Sequence, residues 1–136
     1  MQIEIPGVQS ETICLATKIA RIVYAETLAK SLRVVEALTS MIANATKNDR
    51  HAMARMLCDK NIFESLNTKS MRYKYLFVDA SRRDFQMCLR VAMRMLHGNL
   101  GDACNGATMF HRVEFLPDWA VARGYIADMG DILFYA

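Results

Sequence analysis

Residues 13–26 read ICLATKIARIVYAE, an apolar segment that ends in the carboxylate of Glu26. Its apolar positions recur at the three-to-four-residue spacing of one helix face: Ile13, Ala16, Ile19, Ala20, Val23 and Tyr24. The spacing predicts a first helix that follows Pro6-Gly7 and ends near Glu26. Burial at the end of such a helix would favour the protonated form of the glutamate, which suits a general acid. A position on the water side would instead make Glu26 an ordinary surface residue, and the local sequence leaves both interpretations open.

Two capping residues predict the next two helices. Ser31 can cap a second helix, and residues 46–49 (TKND) end it. Asp49 can cap a shorter third helix that runs through Cys58. One apolar face of the second helix is expected to be buried: Val34, Val35, Leu38, Met41, Ile42 and Ala45.

A fourth helix has the clearest signature. Ser81 and Asp84 match the spacing of a capping box, and Gly98 is a natural stop. Its buried stripe is expected at Phe85, Cys88, Leu89, Val91, Ala92, Met95 and Leu96. Between the third and fourth helices, residues 59–80 lack a strong periodicity and are interpreted mainly as loop.

The C-terminal part predicts a small β element. Residues 108–111 and 133–135 are short extended pieces that can pair as a sheet. Pro117 can begin a short helix that contains Trp119. Together with the helices, these elements predict a mainly α fold (α+β) with its small sheet near the C-terminus.

The whole chain, residues 1–136, is interpreted as a single domain in which residues 1–11 form an N-terminal extension. A chain of this length can build a core without disulfides or metals. The four cysteines form no Cys-x-x-Cys pair, so free, buried thiols are expected. No secretion signal and no apolar run of about 18 residues is visible. As written, the chain is expected to stay in the cytoplasm unless a separate route releases or exports it.

Charge is distributed unevenly along the chain. Residues 1–100 carry fifteen Lys or Arg against nine Asp or Glu, whereas residues 101–136 carry two against five. The cations cluster at Lys69, Arg72, Lys74, Arg82, Arg83, Arg90 and Arg94. A solvated helix face explains such a cluster, and attraction to a polyanion is the functional alternative. Because no nucleic-acid-binding motif accompanies the charge, nucleic acid is not expected as a partner.

The common catalytic motifs are not found in this sequence. There is no metal-binding spacing among the three histidines: His51, His97 and His111. Nor is there a Gly-x-Ser-x-Gly elbow or a glycine-rich phosphate loop, so no metal or cofactor is expected. The remaining chemistry lies in carboxylates. Glu26 is the candidate acid, and Glu64 or Asp102 could approach it from loops.

Three sets of residues, in order along the chain, carry a family resemblance. The first set is Tyr24-Ala25-Glu26, Val35-Glu36-Ala37 and Met41-Ile42-x-Asn44. The second set is Phe63 and Asn67. The third set is Asp102, Gly106-Ala107-Thr108, Phe110, Pro117, Trp119-Ala120, Gly130 and Phe134-Tyr135. Together they cover residues 15–135 and resemble the SleB-type cell wall hydrolases.

This resemblance implies a lysozyme-like fold that cleaves peptidoglycan glycan strands between N-acetylmuramic acid and N-acetylglucosamine. Members of the family include spore cortex-lytic enzymes, which are similar in mechanism to lytic transglycosylases. The glutamate that matches Glu26 would protonate the glycosidic oxygen. It would then take the proton of the muramoyl 6-hydroxyl, so that a 1,6-anhydro ring forms without a metal or cofactor. The residues expected to bind substrate are Tyr24, Phe63, Asn67, Thr108, Phe110, His111, Trp119 and Tyr135.

Several positions depart from the family's pattern. The central Gln-Phe is Ile62-Phe63 here, the Trp before the asparagine is Leu66, and the C-terminal Gly-x-His is Gly130-Asp131-Ile132. Three alternatives therefore stand beside transglycosylation. The chain could hydrolyse the strand with a second carboxylate roughly 6.5–9.5 Å from the first, or it could bind glycan as a degenerate, catalytically weak or inactive member. It could also be a protein-interaction or nucleic-acid module.

Overall fold

Four α-helices and a three-stranded antiparallel sheet make up the computed structural model, which describes the backbone of residues 6–136 and the side chains from residue 10 onward. The helices are α1 (Pro6–Thr27), α2 (Leu32–Thr46), α3 (Arg50–Met56) and α4 (Arg83–Leu96). The expected mainly helical class with a small C-terminal sheet is therefore confirmed. Residues 1–5 of the expected N-terminal extension lie outside the described residues, whereas residues 6–11 belong to α1.

The caps of α2 and α3 are the predicted ones. The Ser31 hydroxyl accepts a hydrogen bond from the Val34 amide at 3.2 Å. The Asp49 carboxylate accepts one from the His51 amide at 3.1 Å. Each cap satisfies one of the amide groups that a helix start leaves without a partner.

The capping box predicted for α4 is wrong. Arg82 occupies the N-cap position and makes no side-chain cap hydrogen bond. The Ser81 hydroxyl instead donates to the Asp79 carboxylate at 2.9 Å, while Asp84 binds the Arg82 guanidinium. Both polar side chains of the expected box therefore have competing local partners.

The core forms where α1 packs against α4, with α2 packed against both. Ile19 and Val23 of α1 are buried together with Phe85 of α4. Each side chain of this size contributes about 1.5–3 kcal/mol when fully buried. The predicted apolar stripes of α2 and α4 lie in this core, except that Ala45 is exposed and Leu89 and Leu96 are only partly buried.

The sheet consists of β1 (Met109–Arg112), β2 (Ala127–Asp128) and β3 (Ile132–Tyr135), in the order β1-β3-β2. The pairing of the first and last strands is the predicted one, with Phe110 opposite Phe134. The two-residue strand β2 was not predicted. It pairs with β3 through a turn in which Gly130 has φ +75°, a conformation that glycine adopts without strain.

The segment between α3 and α4 is mainly loop, as predicted, with two short 3-10 turns at Glu64–Leu66 and Tyr73–Phe77. It is held against α1 by Arg21, whose guanidinium donates to the carbonyls of Leu76 and Val78 at 3.0 and 2.9 Å. This anchoring holds the second of the two turns against α1. A third 3-10 turn, Asp118–Ala120, follows Pro117 and contains Trp119 as predicted.

The four cysteines are free, as expected, but the expectation that all of them are buried is wrong. Cys14 and Cys58 are exposed, whereas Cys88 and Cys104 are buried. Burial raises the pKa of each buried thiol to about 12. Separately, none of the helices within residues 6–136 is long and apolar enough to cross a membrane.

Candidate functional site

Glu26 lies in the last turn of α1 and is only 1% exposed. Its Oε2 accepts a hydrogen bond from the Ser65 amide at 2.9 Å. Its Oε1 accepts one from Nη1 of Arg112, with which it forms an ion pair. The carboxylate is therefore buried, as one of the two sequence interpretations required. It is also paired with a cation, which the apolar sequence around it did not predict.

Arg112, at the end of β1, bonds to three carboxylates with its three guanidinium nitrogens. Nη1 binds Glu26, Nη2 binds Glu64, and Nε binds Glu114 at 3.1 Å. Burial alone would lower the pKa of Arg112, but these carboxylates raise it overall. The guanidinium is therefore a permanent buried cation that fixes the relative positions of its partners.

Arg72 links this cluster to the end of α1. Its Nη1 donates to the carbonyls of Ala25 and Glu26, both at 3.2 Å. Its Nη2 pairs with Glu114 at 3.2 Å. Partial burial would raise the pKa of Glu114, but the two arginines, Arg112 foremost, lower it overall. The last carbonyls of a helix have no partner within the helix, so Arg72 both caps α1 and holds the Glu26 backbone in place.

A cavity of about 330 Å³ opens beside Glu26. Two carboxylates and two cations form one group of its lining residues: Glu26, Lys60, Glu64 and Arg112. Aromatic and apolar side chains form the rest of its wall: Ile62, Phe110, His111, Phe115, Leu116, Pro117 and Trp119, with Asn61 between the two groups. A second, more apolar cavity of about 450 Å³ shares Asn61, Ile62, Phe110 and Trp119 with it. The two cavities are therefore adjacent and share one wall, and together they are called the groove.

Four of the predicted site residues line the first cavity: Glu26, Phe110, His111 and Trp119. Thr108 lines the second cavity. Phe63 is fully buried behind Phe110, with ring centroids 5.7 Å apart. It therefore supports the cavity wall and does not reach a substrate.

His111 forms a packed aromatic group with Trp119 and Tyr135. Its Nδ1 lies 2.8 Å from the Arg112 carbonyl oxygen, which can only accept, so Nδ1 carries a hydrogen. Its Nε2 lies 2.8 Å from the Tyr135 hydroxyl, which donates to it when the ring is neutral. Both ring nitrogens have protein partners, and Tyr135 is buried behind the ring. Trp119 contacts both rings edge-on.

Two predicted residues lie away from the cavity. Tyr24 is two residues before Glu26 and points to the other side of α1, where its hydroxyl donates to Asp84 at 3.4 Å. Burial, together with the Asp84 charge, raises the pKa of Tyr24. Asn67 is exposed, and its side chain accepts from the Lys69 amide at 3.0 Å. Neither residue is placed to contact a ligand bound beside Glu26.

Arg112 is the residue of this cluster that sequence reasoning missed. One signal was present: it is one of only two Lys or Arg in residues 101–136, and it directly follows the matched Phe110 and His111. The sequence named two loop carboxylates, Glu64 and Asp102, as candidates to approach Glu26, without deciding between them. The structure brings Glu64 to the cavity, whereas Asp102 binds Asn44 and the Cys104 amide elsewhere.

The basic cluster is partly neutralised. Three of its seven members form ion pairs with carboxylates: Arg72 with Glu114, Arg82 with Asp84, and Arg94 with Glu36. Within residues 6–136, no group of three His, Cys, Asp or Glu side chains is placed to hold a metal ion. The charged groups that line the groove are the carboxylates of Glu26 and Glu64, the guanidinium groups of Arg55 and Arg112, and the Lys60 ammonium.

Comparison with protein-family models, with curated proteins and with solved structures found no match. The function is consequently argued from the geometry of the groove, and the resemblance to the SleB-type hydrolases remains a prediction from the matched residues.

Proposed function

We propose that this chain is a lysozyme-like enzyme that cleaves peptidoglycan glycan strands between N-acetylmuramic acid and N-acetylglucosamine, as a lytic transglycosylase. Glu26 is the catalytic carboxylate in this proposal. The observation that carries it is the position of a buried carboxylate at a cavity that is also lined by aromatic side chains. This arrangement matches what the cleavage of a sugar polymer requires.

The aromatic wall suits sugar rings, which have apolar faces and polar edges. Phe110 and Trp119 border both cavities, so a strand lying along the groove would pass over them. Lys60 and Asn61 line the first cavity and can bond to hydroxyl or acetamido groups. A volume of about 330 Å³ falls within the usual range for small-ligand pockets.

Glu26 stands where positive charge would develop in the transition state. Cleavage of a glycosidic bond passes through an oxocarbenium-like state, which a nearby carboxylate stabilises. Because the carboxylate is anchored by Ser65 and Arg112, it needs little reorganisation when that charge appears. A carboxylate can also accept the proton of the attacking muramoyl 6-hydroxyl.

A second candidate function is glycan binding without cleavage. The anchoring of Glu26 favours it. Both of its oxygens accept hydrogen bonds from groups that keep their hydrogens, the Ser65 amide and the Arg112 guanidinium, and a carboxylate held in this way is a poor proton donor. In this case the groove would hold a strand while the bond stays intact.

Digestion of purified sacculi tests the proposal. Wild-type protein should release muropeptides with 1,6-anhydro ends, detected by mass spectrometry, and Glu26→Gln should release none. The matched control is Glu36→Gln on α2, whose partner Arg94 lies on α4 and which does not line the groove. This control should release products at the wild-type rate.

The other outcomes separate the alternatives. Equal product profiles from wild type and Glu26→Gln would contradict the catalytic role of Glu26. Binding of the wild type to sacculi with no soluble product would establish the binding function instead. Ordinary reducing ends in place of anhydro ends would show hydrolysis.

A further inference from the structure

We propose that Glu64 is the proton donor of the site and that Arg112 is a positioning residue that holds Glu64 and Glu26 on one guanidinium. The inference rests on the proposed glycan-cleaving function and divides its chemistry between two carboxylates. Glu26 then begins the reaction ionised and acts as the base.

Both oxygens of Glu26 already accept hydrogen bonds. Oε1 accepts from Arg112 and Oε2 from the Ser65 amide. Neither donor gives up its hydrogen near neutral pH, because a guanidinium is effectively always protonated and a backbone amide does not titrate. A proton added to Glu26 would replace a charge-assisted hydrogen bond from one of these donors by a weaker bond to a neutral carboxyl group. The geometry therefore favours the carboxylate form.

Glu64 has the opposite character. Its side chain is 35% exposed and lines the same cavity. Arg112 binds its Oε2, and among the described residues its Oε1 accepts no hydrogen bond. A proton on Oε1 leaves the bond from Arg112 to Oε2 in place and can exchange with water. Glu64 can thus be protonated without breaking the cluster.

The local fold positions the two carboxylates together. Glu64 begins the 3-10 turn Glu64–Leu66, and the next residue, Ser65, donates its amide to Glu26. Phe63 and Ser65 on either side are fully buried, so the turn is anchored on both sides of Glu64. One short turn therefore carries the proton donor and also holds the second carboxylate, as a preorganised site requires.

The reaction then balances as follows. The Glu64 proton passes to the glycosidic oxygen as the bond between that oxygen and C1 of the muramic acid breaks. The 6-hydroxyl oxygen of the same sugar bonds to C1, and its proton passes to the Glu26 carboxylate. After release of the anhydro product, Glu26 loses this proton to water and Glu64 regains one, so the enzyme returns to its starting state.

Substrates that differ in leaving group distinguish a proton donor from a structural residue. When a glycan strand is cleaved, the leaving group is a sugar alkoxide, which needs a proton. In the nitrophenyl glycoside of an N-acetylglucosaminyl-N-acetylmuramic acid disaccharide, the leaving group is a nitrophenolate, which is stable without one. General acid catalysis contributes roughly 10²–10⁴-fold. Glu64→Gln should therefore lower the rate on sacculi by at least 10²-fold while retaining most of the rate on the nitrophenyl glycoside. Glu26→Gln should lose activity on both substrates.

Glu114→Gln is the matched control. Glu114 binds the same guanidinium, but its side chain is 52% exposed and it is not among the residues that line the cavity. This variant should keep most of its activity on both substrates. Glu64→Asp is the second variant, for use if glutamine at this position disturbs folding. Aspartate retains a carboxyl group that can carry the proton. Glu64→Asp should act on the nitrophenyl glycoside like the wild type and retain measurable activity on sacculi.

Three results would overturn the inference. Wild-type rates of Glu64→Gln on sacculi would remove Glu64 from the reaction and leave the role of Glu26 intact. Equal losses on both substrates, in a variant with a native melting temperature, would show that Glu64 only positions other groups. A wild type that releases no product from sacculi would refute the proposed function itself, and with it the division of roles.

Discussion

Replacing Arg112 by methionine should destabilise the protein strongly. The variant keeps most of the side-chain length but leaves the Glu26 carboxylate buried without its cation. Glu64 and Glu114 are partly exposed and can reach water, so they add little to the cost. Removing one partner of a buried ion pair typically costs about 3–5 kcal/mol.

This cost converts into a measurable shift in melting temperature. The unfolding entropy of a 136-residue chain gives a shift of roughly 3.5 °C per kcal/mol. Arg112→Met should therefore melt about 10–17 °C below the wild type. Thermal unfolding at pH 7 followed by circular dichroism measures the shift. Arg94→Met, which breaks the more exposed pair with Glu36, is the control and should shift the midpoint by no more than about 3 °C.

A second substitution identifies the cause of the loss. In Arg112→Met/Glu26→Gln the buried charge is gone, so the double variant should melt above Arg112→Met. Contacting residues in one network typically show coupling energies of about 0.5–3 kcal/mol. A midpoint for Arg112→Met within about 3 °C of the wild type would refute the reasoning. So would a double variant that melts below the wild type by the full sum of the two single-variant shifts, because additive shifts show no coupling between the two residues.

Three further predictions concern stability and reactivity. Asn44→Ala removes the donor to the Ala107 carbonyl (3.1 Å) and should cost about 1–3 kcal/mol in urea unfolding. Ala29→Gly should raise stability by up to about 1 kcal/mol, because Ala29 has φ +52° and a left-handed backbone strains any residue with a Cβ. A thiol reagent at pH 8 should label two of the four cysteines in the folded protein and all four in urea. The labelled pair is the exposed one, Cys14 and Cys58.

Local signals predicted the helices well because the atoms that decide a helix lie within a few residues of one another. Ser31 and Asp49 cap their helices as expected, since each needs only an amide two or three residues ahead. The same reasoning was wrong at Ser81, because the Ser81 hydroxyl donates to the nearby Asp79 carboxylate, which is an equally local partner. Strand β2 was missed because two residues are too few for an alternating pattern to be visible.

The site was predicted only in part, because its partners are distant in sequence. Glu26 could be singled out from its own helix, but its cation lies 86 residues further along the chain. Nothing local to Arg112 specifies which carboxylate it will meet. Helix geometry could have excluded Tyr24, because two residues correspond to about 200° around a helix, so that residue faces away from Glu26.

Folding alone does not explain why Glu26 and Arg112 are both charged. A buried ion pair can often be replaced by uncharged residues of similar size with little loss of stability. The uncharged pair in Arg112→Met/Glu26→Gln fills much of the same space and removes these two charges from the cavity wall. If the double variant folds nearly as stably as the wild type but releases nothing from sacculi, the charges serve the reaction. If instead the double variant is both unstable and inactive, the loss of activity follows from unfolding. The main role of the ion pair is then to stabilise the fold.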